Sequence, residues 1–256
     1  MTLIIMATAF AASLLTLFSG FGLGTLLMPV VAIFFPVAVA VALTAFVHLL
    51  NNLFKLLVLW RMVSWPVATR FGIPAMIATI PGAWLLTQLS TLPEIHSYTL
   101  AGIPAVITPV KLAVGLLLIF FASAEWLSLG ERFKVSSRWL PAGGILSGFF
   151  GGLSGHQGAF RSAFLIRAGL DKDAFVATNA VIAAAVDTAR LAVYGLNMGL
   201  LLAHANAGLL AAATLAAFAG VLAGQIGLKK VTIGFIQKLV AVMLYALGIL
   251  LVTGII

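Results

Sequence analysis

Two long apolar stretches of this chain are interrupted near their middle by glycine-rich segments. The second stretch runs from Trp139 to Leu170, and the interruption at 151–161 reads GGLSGHQGAFR. The apolar arms beside it have about 12 and 9 residues, fewer than the roughly 20 helical residues that cross a bilayer. The pattern therefore predicts a broken helix. Irregular backbone inside a membrane lies against protein or water, so the break also predicts a cavity.

A weaker copy of this pattern lies near the N-terminus. Ser19, Gly20, Gly22 and Gly24 interrupt an apolar run that resumes afterwards and ends near Pro36. The two broken units, 3–36 and 139–170, indicate that the chain is internally duplicated.

Between and after these units the chain is almost continuously apolar. Hydrophobic residues make up 63% of the sequence and charged residues 8%, which is too little polar surface for a water-soluble protein. The runs are continuous rather than alternating, which favours a helical bundle over a membrane barrel. We expect an all-α polytopic membrane protein whose further spans are 38–60, 67–89, 104–129, 174–194, 204–228 and 235–256.

The broken units can either cross the membrane or enter and return as re-entrant hairpins. Short cytoplasmic loops carry an excess of Lys and Arg. With hairpins, nine of the 14 basic residues fall on one side: Arg61, Arg70, Arg132, Lys134, Arg138, Arg167, Lys172, Lys229 and Lys230. Crossing units would split them between both sides. We therefore expect re-entrant hairpins, with both termini outside the cytoplasm.

Each half then contains one hairpin and three crossings, so the second half is inverted relative to the first. Residues 1–129 form the first repeat, 130–138 a cytoplasmic linker and 139–256 the second repeat. An offset of 134 places Gly24 on Gly158 and Thr44 on Thr178. Weak internal symmetry with matching broken segments is typical of secondary transporters, whose site lies at the repeat interface.

The second arm of each hairpin, here called the return arm, is expected to begin near Thr25 in the first unit and near Ala159 in the second. The helix N-termini of the two return arms would then face each other at mid-membrane. Helix N-termini attract anions, and an arginine at this depth is costly unless it is used. Arg161 is thus the principal candidate ligand, although it could instead cap carbonyl groups of the preceding arm. The substrate-binding residues that we predict are Arg161, His156, Gln157, Gly155, Gly158, Ser19, Gly20, Gly22, Gly24 and Asn51.

The span 38–60 carries a polar stripe on an arc of about 100°. Its members are Thr44, His48, Asn51, Asn52 and Lys55. His48 titrates near neutral pH and is a candidate for proton coupling, or else a satisfied structural histidine. The asparagines suit either substrate contact or helix packing. We expect Lys55, close to the membrane surface, to extend towards water.

The span 174–194 carries Asp187 and Arg190 three positions apart, where they can pair. This pair is either structural or a gate that an incoming anion opens. The residues that we predict for coupling or gating are His48, Asp187 and Arg190.

The first-half pattern SGFGLGTLLMP and the second-half pattern GGLSGHQGAFRSAFL resemble those of the TauE/SafE family of bacterial sulfite and organosulfonate exporters, and the resemblance covers essentially the whole chain. The second half departs from the family pattern at Gln157, Ala159 and Ala163 and adds Arg161. The resemblance implies ion-coupled transport of small sulfur-containing anions, without ATP, across the bacterial inner membrane.

Other functions remain as alternatives. A passive anion channel is one, and a membrane-embedded enzyme using His48, His156 and Asp187 is another. No cofactor or metal is expected, because the chain has no cysteine and no paired metal-ligand spacing. The expected partners are a small anionic substrate, the lipid bilayer and a coupling ion, most simply a proton. Nucleic acid is disfavoured because the basic residues are scattered, whereas a homo-oligomer is compatible with the sequence.

Overall fold

The structure is a computed structural model that describes residues 1–16, 22–127, 137–202, 206–227 and 233–256. The regular structure of these residues is helical except for one β-hairpin, which lies between the helix ending at Thr91 and the helix beginning at Pro109. The α-helices are α1 (Thr2–Thr16), α2 (Gly24–Ala32), α3 (Val37–Leu59), α4 (Trp65–Thr91), α5 (Pro109–Trp126), α6 (Leu140–Ser154), α7 (Gly158–Leu165), α8 (Lys172–Leu202), α9 (Ala207–Gly227) and α10 (Ile233–Val252).

Five helical segments in the described part of the chain are long and apolar enough to cross a membrane. They are Val37–Met62, Trp65–Thr91, Pro109–Trp126, Lys172–Leu196 and Ala207–Gly224. The prediction of a polytopic helical membrane protein is confirmed. Most of the predicted linker 130–138 lies outside the described residues, as do Lys229 and Lys230.

Both predicted helix breaks are present. In the second unit, Gly155 adopts a left-handed conformation (φ 77°) and its N–H donates to the Gly151 carbonyl at 3.0 Å. A left-handed residue cannot continue a right-handed helix, so α6 ends here. Glycine suits the position because a residue with a side chain rarely adopts this conformation. The chain re-enters helix at Gly158. In the first unit Gly22 is also left-handed (φ 76°), and α2 begins two residues later at Gly24.

The prediction that residues 104–129 form one helix is wrong at its start. Residues His96–Leu100 (β1) and Ile103–Ile107 (β2) pair as an antiparallel hairpin in which Leu100 lies opposite Ile103. The turn passes through Ala101 and Gly102, both with positive φ. Helix α5 begins only at Pro109, where the Thr108 side chain accepts a hydrogen bond from the Lys111 N–H at 3.3 Å.

This hairpin is anchored to the end of α10. The Val106 N–H donates to the Gly254 carbonyl at 2.8 Å, and the Tyr98 hydroxyl donates to the Thr253 carbonyl at 2.7 Å. The Lys111 ammonium donates to the Val106 carbonyl at 2.7 Å. The connection between the predicted spans 67–89 and 104–129 therefore contains a hairpin that caps the end of α10.

Helix α8 is longer than the predicted span 174–194, since it continues to Leu202. The segment after Tyr194 is largely apolar, and its glycines reduce helix stability without ending the helix. The remaining predicted spans agree with the observed helices to within about four residues.

Glycines allow α4 and α6 to approach closely. A Cβ atom added at Gly144 would overlap the Phe71 carbonyl oxygen, and one added at Gly148 would overlap that of Ala75. The Thr79 hydroxyl also donates to the Gly148 carbonyl at 2.9 Å. Helix–helix association in membranes depends on close backbone contacts of this kind.

Similar contacts occur at a third position of α4 and α6 and in two further helix pairs that join the two halves. In α4 and α6, a Cβ at Gly82 would overlap the Phe149 carbonyl oxygen, and in α9 and α1 a Cβ at Gly220 would overlap that of Phe10. In α5 and α10, a Cβ at either Gly115 or Gly248 would lie 2.9 Å from the carbonyl oxygen of the other. The first unit thus packs on the second half and the second unit on the first half, while α3 packs against α8 at the centre.

Candidate functional site

The two helix breaks lie beside each other and beside α3. A Cβ added at Gly24 would lie 4.0 Å from the Gly155 carbonyl oxygen and 3.5 Å from the Thr44 methyl group. One added at Gly22 would lie 2.8 Å from His48 Nε2 and 3.7 Å from Arg161 Nη2. The structure therefore brings predicted residues of both breaks to one place. Ser19 and Gly20 lie outside the described residues.

Arg161 is in the first turn of α7 and has 0% of its surface exposed. Its backbone N–H donates to the Gln157 carbonyl at 3.1 Å. The guanidinium atoms Nε, Nη1 and Nη2 have no hydrogen-bond partner among the described residues. A buried guanidinium with three unpaired nitrogens is costly, and an anion with several oxygens would satisfy them.

The site also contains a network of three ionisable residues that joins α3 and α8. Asp187 Oδ2 lies 2.6 Å from His48 Nδ1, and Asp187 Oδ1 accepts from Arg190 Nε at 2.9 Å and from Nη2 at 2.6 Å. All three side chains are buried. An ionised carboxylate only accepts hydrogen bonds, so Nδ1 is the protonated nitrogen of the imidazole. The other nitrogen, Nε2, lies on the side of the ring that faces Gly22 and Arg161.

Two side chains of α8 also donate hydrogen bonds to carbonyl groups at the end of α6. Arg190 Nη1 donates to the Gly151 carbonyl at 3.3 Å, and the Tyr194 hydroxyl donates to the Gly152 carbonyl. The last carbonyls of a helix have no partner within it. Tyr194 supplies one for Gly152, and Arg190 adds a second donor to the Gly151 carbonyl, which also accepts from the Gly155 N–H. Through Arg190, Asp187 is joined to the second break.

Gln157 belongs to this network as well. Its side-chain Nε2 lies 3.5 Å from Asp187 Oδ1, at the long limit of a hydrogen bond, and its backbone carbonyl accepts from the Ser147 hydroxyl at 3.1 Å. Its Oε1 atom has no partner within the described parts of the chain.

His156 faces a different cavity. Its ring stacks on Phe121 with centroids 6.3 Å apart, and Nδ1 lies 3.2 Å from the Ser154 carbonyl oxygen. The cavity is lined by Thr25, Phe121, Glu125, His156, Gly158, Val240 and Leu244. Thr25 and Gly158 are in the first turns of α2 and α7, so this cavity adjoins the N-termini of both return arms.

The polar stripe of α3 is buried along its whole length. Asn51 Oδ1 accepts from the Ser13 hydroxyl of α1 at 3.1 Å, which is a helix-packing contact. Asn52 Nδ2 donates to the His48 carbonyl at 2.9 Å. Lys55 is only 6% exposed, so the expectation that it extends to water is wrong.

Sequence reasoning missed two features of this site. Tyr194 is not among the predicted site residues, although positions 187, 190 and 194 share one helical face, which is the signal that links them. The sequence also does not pair His48 with Asp187, because no local spacing links residues on different helices.

A polytopic bundle in which two broken helices meet at a buried, positively charged polar site is typical of membrane transporters. The chain matches the model of the family Sulfite exporter TauE/SafE over residues 5–251. It belongs to this family of membrane transport proteins. No curated protein and no solved structure matches the chain significantly.

Proposed function

We propose that this protein is an ion-coupled secondary transporter that exports small sulfur-containing anions, such as sulfite or organosulfonates, across a bacterial inner membrane. The observation that carries the proposal is Arg161, fully buried at the meeting of the two breaks with its guanidinium nitrogens unpaired among the described residues. The membership of the chain in a sulfite exporter family supports the same class of substrate.

The backbone reinforces the preference for an anion. Helices α2 and α7 both begin at the site, and the N-terminus of a helix carries partial positive charge. The planar Arg161 fork adds a bidentate donor that suits a pair of sulfonate oxygens. We propose that substrate binds between these two N-termini, with Arg161 as its principal ligand.

We further propose that the two halves are inverted repeats with re-entrant hairpins. The packing of each broken unit on the opposite half supports this arrangement. Gly82 lies against Phe149, and Gly220 lies against Phe10. The two glycines are separated along the sequence by nearly the same number of residues as the two phenylalanines. The mutual contact of Gly115 and Gly248 supports a twofold axis between α5 and α10. The distribution of Lys and Arg among the loops supports the hairpin topology.

In the proposed mechanism, His48, Asp187 and Arg190 couple substrate binding to movement of the second hairpin. Arg190 holds the end of α6 through the Gly151 carbonyl, and Asp187 holds Arg190. An anion beside Arg161 competes with Asp187 for the surrounding positive charge. Proton transfer at His48 changes the strength of the Asp187 pair and so the hold on α6.

Reconstituted vesicles distinguish this transporter from a passive channel. Purified protein in liposomes loaded with radiolabelled sulfite is exposed to an imposed pH gradient, and the internal and external concentrations are followed. We expect the gradient to move sulfite against its own concentration difference, and this movement to be abolished by a protonophore. Simple equilibration of sulfite with or without the gradient would instead establish a channel.

A further inference from the structure

We propose that the cavity beside His156 is the binding site of the coupling proton, in which Glu125 takes up the proton and His156 stabilises the protonated carboxyl group. This inference rests on the proposed ion-coupled transport of an anion bound at Arg161. It gives His156 a role in proton binding in place of the substrate contact that the sequence predicts.

The two nitrogens of the His156 imidazole have different surroundings. Nδ1 lies 3.2 Å from the Ser154 carbonyl oxygen. A carbonyl group only accepts hydrogen bonds, so Nδ1 carries the proton and Nε2 is an acceptor. Nε2 is buried and has no hydrogen-bond partner among the described residues. A buried acceptor without a partner is costly, so this nitrogen suits a donor that is brought into the cavity.

The cavity that His156 lines also contains an acidic side chain. Its polar lining side chains are those of Thr25, Glu125 and His156, and Phe121, Val240 and Leu244 contribute apolar wall. The cavity has room for about one water molecule, which can bridge a carboxyl group and Nε2. Glu125 and Asp187 are the two buried acids of the described part of the chain, and Asp187 is paired with Arg190. Glu125 is therefore the buried acid that can take up a proton without breaking that ion pair.

The chemistry of this lining favours a proton over a metal ion. Hard metal ions prefer several oxygen ligands, and transition metals prefer several imidazole or thiolate groups. No group of three or more His, Cys, Asp or Glu side chains within the described ranges could hold a metal ion. A protonated carboxyl group instead supplies an O–H donor. When an O–H bond forms on Glu125, its negative charge is lost, and the bridging water accepts the new hydrogen bond and donates one to Nε2 of His156.

The cavity adjoins the two helix N-termini of the proposed anion site. Thr25 and Gly158, in the first turns of α2 and α7, line it together with Glu125. An ionised Glu125 is stabilised by the partial positive charge of these N-termini and competes with a substrate anion for that charge. Protonation leaves both N-termini to the substrate. Proton uptake and anion binding therefore strengthen each other, and by linkage each bound anion draws a proton into the cavity.

The other titratable groups near this region are already paired or exposed. Asp187 accepts from Arg190 and lies 2.6 Å from His48, and a proton transfer inside that network leaves the total number of bound protons unchanged. On α10, Lys238 is exposed and the Tyr245 hydroxyl hydrogen-bonds to that of Ser123. Helix α2 has no charged residue, and Arg161 of α7 remains positive as the substrate ligand. Net proton uptake is thus assigned to Glu125.

Titration calorimetry on the full chain in detergent, with methanesulfonate as the probe, tests this coupling. The charge of methanesulfonate is the same at mildly acidic and mildly alkaline pH, so a change of affinity between these conditions reports on the protein. For wild type we expect the affinity to fall at least about tenfold as the pH rises. Repeats in buffers of different ionisation enthalpy should show uptake of about one proton per bound anion at alkaline pH.

Three variants, compared at equal folded fraction, locate the proton site. Glu125→Gln imitates the protonated acid, so at alkaline pH it should bind methanesulfonate as tightly as wild type does at acidic pH, without proton uptake. His156→Phe keeps an aromatic ring against Phe121 but removes the acceptor, so the fall in affinity should occur at lower pH. Glu94→Gln removes an exposed carboxylate and should behave as wild type.

The outcomes separate this inference from the proposed function. A wild-type affinity that does not depend on pH, or a pH dependence that persists in Glu125→Gln, would overturn the proton site and leave the anion site at Arg161 standing. An affinity that changes when sodium replaces choline, and not with pH, would do the same. Absence of binding of both methanesulfonate and sulfite to wild type would overturn the proposed function as well.

Discussion

His48 Nδ1 lies 2.6 Å from Asp187 Oδ2, which joins α3 and α8 by a buried hydrogen bond between residues 139 positions apart. The opposite oxygen of the carboxylate accepts from Arg190. Asp187 therefore has a positive partner on one side and an imidazole on the other, and it organises the polar centre of the bundle.

The first prediction concerns this arrangement. Asp187→Asn should reduce the free energy of unfolding by about 3 kcal/mol, because it leaves Arg190 buried without a counter-charge. The double exchange Asp187→Arg with Arg190→Asp should not restore stability. An arginine at 187 would face His48, and an aspartate at 190 could not donate to the Gly151 carbonyl.

Thermal unfolding in detergent measures both variants. Recovery of the wild-type melting temperature in the double exchange would show that Asp187 and Arg190 act as an isolated pair, independent of His48 and of α6.

The second prediction concerns the first break. Gly22→Ala should weaken sulfite binding by about tenfold or more, because its Cβ would lie 2.8 Å from His48 Nε2 and displace the imidazole from the site. Gly169→Ala is the matched control. Gly169 has nearly the same φ (74° against 76°) but nothing within 4 Å of an added Cβ.

Both alanine variants should lose about 1 kcal/mol of stability from left-handed strain. Gly22→Ala should lose more, because displacing the imidazole also disturbs its hydrogen bond to Asp187, and only Gly22→Ala should lose affinity. Equal affinities in the two variants would contradict a functional contact between the first break and His48.

The third prediction concerns the packing of α4 on α6. Gly148→Ala should destabilise the protein by about 1–3 kcal/mol, because its Cβ would overlap the Ala75 carbonyl oxygen. Gly195→Ala in α8 meets nothing within 4 Å and should instead stabilise by up to about 1 kcal/mol through helix propensity. Melting temperatures compare the two, and a tolerated Gly148→Ala would argue against close backbone contact between the helices.

The fourth prediction concerns topology. Both termini should lie outside the cytoplasm, and residues 130–138 should lie inside it, because the basic residues then gather on the cytoplasmic side. Fusions of alkaline phosphatase and of a fluorescent protein to the C-terminus report its location. An inactive phosphatase together with a fluorescent reporter would restore the arrangement with crossing units.

Much of the helical fold follows from local patterns. The breaks were predictable because the apolar arms are too short to cross and the glycines are clustered, and Gly155 and Gly22 indeed take left-handed conformations. The β-hairpin was not predictable by the same means. Ile103–Ile107 is apolar and runs on into the helix beginning at Pro109, so hydropathy alone does not separate strand from helix.

The candidate site was predictable only in part. Arg161 could be selected because a charge deep in an apolar segment is costly. The contact of His48 with Asp187 depends on how α3 and α8 pack, which no local spacing encodes. The position of Lys55 near a helix end predicts that it lies at the membrane surface, yet packing buries it.

The central claim is that Arg161 is the principal ligand of the anion, and calorimetric titration of sulfite into purified wild type, Arg161→Lys and Arg161→Ala at equal folded fraction tests it most directly. Arg167→Ala, on the exposed turn after α7, is the control for general surface charge. Arg161→Lys should weaken binding by roughly 1–3 kcal/mol, since it keeps the charge but loses the planar fork, and Arg161→Ala should weaken it further. Unchanged affinity in Arg161→Ala would contradict the account and leave the backbone N–H groups of α2 and α7 as the anion site.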